Sequence, residues 1–129
     1  MANQFRLLLV YPNIPLLNPP PVGIGSLAAA VKKEGHCVKV FDQTFYKGSD
    51  PDSDKAQEEV LGVRPFEFEP RTFPEPENDA VTDFLNVIED YKPDLIGISI
   101  LESTWDRALE LLDGLVGHDV PVIAGGVFP

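Results

Sequence analysis

One stretch limits what this chain can become more than any other. Leu95 to Leu101 reads Leu-Ile-Gly-Ile-Ser-Ile-Leu, an apolar run broken only by Gly97 and Ser99. Unbroken apolar character over seven residues is the pattern of a strand buried on both faces, which in practice means the centre of a parallel sheet. Polar residues follow at once, Glu102, Ser103 and Thr104, and a helical pattern begins at Trp105. Ser103 is placed to cap that helix, with Asp106 three residues on to complete a capping box. In open α/β sheets ligands sit beyond the carboxyl ends of the strands, so this junction is the place to look for function.

The rest of the chain supplies the partners such a strand needs. Phe5 to Tyr11 is a second doubly buried strand, stopped by Pro12. Pro12 to Pro21 holds five prolines with Asn13 and Asn18, a stiff loop that either simply connects to the next helix or also touches a ligand. Ile24, Leu27, Ala28 and Val31 recur at helical spacing, Lys32 and Lys33 fall in the last turn, and Gly35 is the stop. Gly23, Gly25 and Ala28 to Ala30 make that helix slim. Cys37 to Phe41 alternates as an edge strand, with Val38 and Val40 expected inward and Lys39 outward. Val81, Phe84, Leu85 and Ile88 give a helix entered from Asp79 and closed before Pro93. A stripe of Trp105, Ala108, Leu109, Leu112, Leu115 and Val116 gives another, and Val120 to Ala124 is expected to be a short buried strand. Trp105 reads as core, the competing role being stacking on a ligand.

Between Gln43 and Asn78 the character changes: five prolines, many acids and four of the eight phenylalanines mark an insertion, within which Ser53 to Leu61 could form a short helix. The phenylalanines there need cover, partly from the domain and partly from a partner.

Taken together, the order implies a single α/β domain over 1–129, a flavodoxin-like (Rossmann-like) doubly wound parallel sheet of strand order 2-1-3-4 with an insertion at about 43–78. The sheet stops before the fifth strand that would cover its last edge, so the chain is expected to be the front part of a larger protein.

Several function classes fall away on composition. A net charge of −11 argues against nucleic acid and anionic membrane surfaces. The longest apolar run near the start is too short for a signal peptide or a membrane span, so a cytoplasmic location is expected. One cysteine, Cys37, allows no disulfide or thiolate cluster, and with no base placed to activate it a small core role fits better than a nucleophile. His36 and His118 fall at the amino-terminal ends of strands, on the wrong side for catalysis. Gly-x-x-x-x-Gly-Lys and Gly-x-Gly-x-x-Gly phosphate loops are both missing, and no Asp ends the third strand as a phospho-receiver would need. No catalytic residue and no metal ligand is therefore assigned.

What remains is an edge of hydroxyls, glycines and a stiff apolar loop, suited to a bulky, mostly uncharged ligand with amide and ribose groups. The segments Leu-Leu-Leu-Val-Tyr-Pro (7 to 12), Pro-Pro-Val-Gly-Ile-Gly-Ser-Leu-Ala-Ala (20 to 29), Gly-His-Cys-Val-Lys-Val-Phe-Asp (35 to 42), Asp-Leu-Ile-Gly-Ile-Ser (94 to 99), Thr-x-x-Arg-Ala-Leu-Glu-Leu (104 to 111) and Val-Pro-Val-Ile-Ala-Gly-Gly (120 to 126) occur in that order. In combination they resemble the amino-terminal cobalamin-binding domain of cobalamin-dependent radical SAM enzymes, over nearly the whole chain outside the insertion. The resemblance implies that cobalamin's nucleotide tail lies beside Gly97 and Ser99, with Ser103 and Thr104 donating hydrogen bonds to it and Leu101 and Glu102 at the same strand end. It implies that Gly125, Gly126 and Val127 allow close backbone approach, and that Pro12, Asn13, Val22 and Gly23 face the corrin. The better-known methyltransferase relatives carry Asp-x-His-x-x-Gly after the first strand, whose His ligates cobalt. This loop has no histidine, which resembles the radical SAM group. Such a domain would be a non-catalytic cofactor holder, with the 4Fe-4S cluster and S-adenosylmethionine expected only in a downstream barrel. Two rivals stand beside it: a cofactor-free interaction or substrate-gating module of the same fold, and the amino-terminal half of a nucleotide-sugar transferase.

Overall fold

In the computed structural model residues 4–14, 21–46 and 76–126 are described. The two buried apolar runs become β1 (Arg6–Tyr11) and β3 (Leu95–Ile100), and the alternating stretch becomes β2 (Cys37–Asp42). The helices are α1 (Val22–Lys33), α2 (Ala80–Tyr91) and α3 (Trp105–Gly114), and the last strand is β4 (Val122–Gly126). All four strands are parallel in the order β2-β1-β3-β4, as the sequence pattern implies.

Period-two alternation sorts the strand residues between two helical layers. Leu8, Val10, Phe41, Ile96, Ile98 and Ile100 point to one face, where they bury Phe84 and Ile88 of α2 and Ala108 and Leu111 of α3. Leu7, Leu9 and Tyr11 point to the other, against Ile24 with Ala28 and Val31 of α1. The first layer is thick and the second thin. On the α1 side β3 and β4 carry Gly97 beside Ile123 and Ser99 beside Gly125, so three small residues adjoin one another there with Ile123 as the one large, exposed side chain among the four.

Helix ends follow local chemistry. Gly35 ends α1 at φ 86°, a backbone region open to glycine at little steric cost. Asp79 caps α2, its carboxylate accepting from the Thr82 amide (2.9 Å) and hydroxyl (2.6 Å). Those bonds hold its carboxyl below the usual carboxylate value. A folded-state pKa that is depressed contributes stability above the unfolded value of 3.8 and loses it as pH falls through the folded one. Asp79→Ala is expected to lower the melting temperature at pH 7, with the gap to the parent closing on acidification towards pH 2; a constant gap would show that no charged cap is involved.

The structure corrects several local expectations. Ser103 does not cap α3: a single 3-10 turn, Glu102–Thr104, intervenes, α3 has no side-chain cap, and Asp106 completes no capping box with Ser103. Val40, expected inward, is 45% exposed, and of the two valines only Val38 packs against the Leu7, Leu9, Tyr11 and Ile24 cluster. Trp105 and Leu109 are 41% and 37% exposed and Val116 is exposed too, leaving Ala108, Leu111 and Leu115 as the buried stripe. Every residue of β4 is exposed, where a buried strand was expected. The insertion's possible helix at Ser53 to Leu61 lies outside the described residues.

Candidate functional site

The carboxyl ends of the strands are tied together by their own polar groups. After β1, Pro12 and Asn13 are buried, and the Asn13 amide donates to the Thr44 hydroxyl (3.1 Å), which donates in turn to the Asp42 carboxylate. The Thr44 amide also donates to Asp42 (2.9 Å), and the Gln43 amide donates to the Tyr11 carbonyl (3.1 Å). Asn13, at 3% exposure, holds this turn and does not open to the edge. Burial, reinforced by the Asp42 charge, pushes the neighbouring Tyr11 phenol above its ordinary value.

After β3 the two hydroxyls part company. Thr104 is fully buried; its Oγ1 accepts from the Leu101 amide (3.1 Å) and donates to the Leu101 carbonyl (3.3 Å), closing the turn on itself. Ser103 and Glu102 stay exposed, and Leu101 is half-buried. At the start of α1, Val22 and Gly23 are exposed. Val127 lies outside the described residues.

Of the residues singled out from sequence, Gly97, Ser99 and Gly125 are brought together most closely. They occupy neighbouring positions on the α1 face, Ser99 in register with Gly125. A Cβ on Gly97 would meet Leu9 Cδ2 at 3.1 Å, whereas one on Gly125 would meet nothing within 4 Å. Gly126 differs. At φ 132° it runs so close to β3 that a Cβ would fall on the Ile100 carbonyl oxygen, so its glycine serves the sheet.

Sequence reasoning missed a polar knot on the opposite face of the same edge. Gln43 is completely buried; its amide donates to Glu110 (3.4 Å), and its Oε1 has no partner among the described residues. The Arg107 guanidinium donates to the carbonyls of Tyr46 (2.8 Å) and Gln43 (3.4 Å). The Tyr46 hydroxyl donates to Asp83 (2.9 Å), which also accepts from Asn78 (2.8 Å). Burial lowers the Arg107 pKa, with Glu110 opposing, and raises Tyr46 to about 12, with Asp83 helping. The knot ties both ends of the 43–78 segment to the helical layer. Only Arg107 and Glu110, both inside the quoted 104 to 111 segment, gave any sequence signal for it.

At the amino ends of the strands a shallow hollow of about 510 Å³ is lined by Arg6, Glu89, Lys92, Asp94 and His118. Arg6 and Asp94 pair with each other there (3.6 Å), and the hollow lies at the opposite end of the strands from the glycines. The carboxyl edge, where Gly97, Ser99 and Gly125 adjoin, is the candidate site.

Among the described residues no group of three or more His, Cys, Asp or Glu is placed to hold a metal, and no helix is long and apolar enough to cross a membrane. No family model matches the chain, and neither a curated protein nor a solved structure matches it significantly.

Proposed function

We propose that this domain binds a cobalamin at the carboxyl edge of its sheet, as the cofactor-holding part of a larger radical SAM enzyme of the methyl-transfer type. One observation carries the reading: Gly97, Ser99 and Gly125 share a face and adjoin one another, and the space above Gly125 is open. Bare peptide beside a single hydroxyl suits a slender chain of amides and a ribose, which needs close approach and a few hydrogen bonds rather than charge.

Cobalamin supplies, when bound, a cobalt centre able to carry a methyl group. In this account Ser99 orients the nucleotide tail by hydrogen bonding, Gly125 lets backbone approach it while Gly97 makes room for Leu9, and Ser103 adds a hydroxyl at the rim. Val22 and Gly23, exposed at the start of α1, would face the corrin. Segment 12–21 offers no imidazole to cobalt.

The cofactor-free reading has an observation of its own in its favour, since the Asn13 amide and the Thr104 hydroxyl are both engaged inside the protein. Thermal unfolding separates the readings. A ligand that binds only the folded state stabilises it by about 2.7 kcal/mol at a hundred times its Kd. For a domain of this size each kcal/mol raises the melting temperature by roughly 3–6 °C. Hydroxocobalamin is expected to raise it and a uridine diphosphate sugar to leave it unchanged. The reverse result supports the transferase, and no shift with either supports the cofactor-free module.

A further inference from the structure

Arg107 lies in the first turn of α3, the helix that follows β3, yet its guanidinium is engaged beyond β1. It donates to the carbonyls of Tyr46 (2.8 Å) and Gln43 (3.4 Å), in the turn that leaves β2. The sheet order places β1 between β2 and β3. A side chain rooted beside β3 therefore holds the exit of the strand on the far side of β1. The strand order reverses between β1 and β3, and open α/β sheets take their ligands at such a reversal.

From the held turn a second set of bonds runs back to β1. The Tyr46 amide donates to the Gln43 carbonyl (3.1 Å), the same oxygen that Arg107 engages, so the turn is closed on itself. The Gln43 amide donates to the Tyr11 carbonyl (3.1 Å). Thr44 is fixed by Asp42, which accepts from its amide and its hydroxyl. The Thr44 hydroxyl accepts in turn from the buried Asn13 side chain (3.1 Å), two residues past the end of β1. One guanidinium nitrogen, its two hydrogens fixed in a plane, serves both carbonyls of the turn, a task for which a lysine is less well shaped. The Tyr46 hydroxyl, bound to Asp83 (2.9 Å), belongs to the same knot but leads to α2 and not to β1.

We propose that Arg107 is a positioning residue for the carboxyl edge: it holds the 42–46 turn, and through Thr44 and Asn13 that turn sets where the chain leaves β1. Arg107 acts through the turn and not by touching a ligand. Hydrogen bonds from a charged donor are the stronger kind, and a continuous set of them is what lets one side chain fix another at a distance. The proposal rests on the cofactor reading only for what the edge holds; the brace is a property of the chain itself.

The test uses the full chain and follows the Asn13 side-chain amide by NMR, beside hydroxocobalamin binding. Arg107→Met keeps the aliphatic stem and removes the donors. At temperatures where the chain is folded it is expected to move the Asn13 resonance and to speed its exchange with solvent about tenfold. Arg107→Lys should give a smaller change in the same direction, and Tyr46→Phe should leave Asn13 as in the parent. Adding Arg107→Met to Thr44→Val should change Asn13 no further than Thr44→Val alone, because both cut one path. Hydroxocobalamin affinity should fall about tenfold in Arg107→Met. Should that variant unfold, Arg107→Lys set against Tyr46→Phe decides. An unmoved Asn13 amide in the folded Arg107 variants, an equal change in Tyr46→Phe, additive effects with Thr44→Val, or undiminished cobalamin binding by Arg107→Met would overturn the proposal. A parent that binds no hydroxocobalamin would overturn the cofactor reading instead, and the Asn13 signal would still decide the brace.

Discussion

Phe84→Ala is expected to remove about 3–5 kcal/mol of stability, a large share of the 5–15 kcal/mol typical of a domain. Phe84 is 1% exposed and sits at the centre of the thick layer. Its ring lies 5.2 Å from that of Phe41, which stacks in turn on Tyr46 at 5.6 Å. Truncation would leave a cavity bounded by β2, β1 and α2, and the aromatic pair would be lost with it. Phe84→Leu keeps most of the volume and is expected to cost far less. Denaturant unfolding of the two variants beside the parent checks this. A loss below about 1 kcal/mol for alanine would mean that α2 does not pack where it has been placed.

The second large effect separates two adjacent glycines by mechanism. Gly125→Val should leave folding nearly untouched, since a side chain there meets open space and valine suits a strand. It should fill the space where the tail is proposed to lie and weaken hydroxocobalamin binding at least tenfold. Gly126→Ala should act the other way: its φ of 132° and the Ile100 carbonyl leave no room, so the cost falls on the fold, about 1–3 kcal/mol from backbone strain alone. Melting temperature and binding measured on both proteins distinguish the two roles. Gly125→Val that binds as well as the parent would remove the tail from that face.

Why sequence revealed some of this and not the rest follows from the range of each interaction. β1 and β3 were legible because burial on both faces leaves a continuous apolar run, and the α2 start because Asp79 caps it through residues three apart. The strand order followed from short crossovers of fixed hand. The Gln43–Arg107–Glu110 knot joins positions more than sixty residues apart, and no local pattern encodes such a pairing. The exposure of Trp105 and Leu109 has no signature in the sequence, because an apolar stripe looks the same whether its cover is present or absent. Thr104 in place of Ser103 is a smaller miss: a 3-10 turn between strand and helix shifted the useful hydroxyl by one residue and turned it inward. Within the site, pattern located the edge and the glycines, while geometry alone separated Gly125, beside open space, from Gly126, pressed against β3.

The account rests on the α1 face of β3 and β4 receiving a corrinoid tail, and the most direct measurement is the visible spectrum of the protein after incubation with hydroxocobalamin and gel filtration. The account predicts close to one equivalent of corrin absorbance eluting with the folded chain, strongly reduced for Gly125→Val. A colourless, folded protein would contradict it.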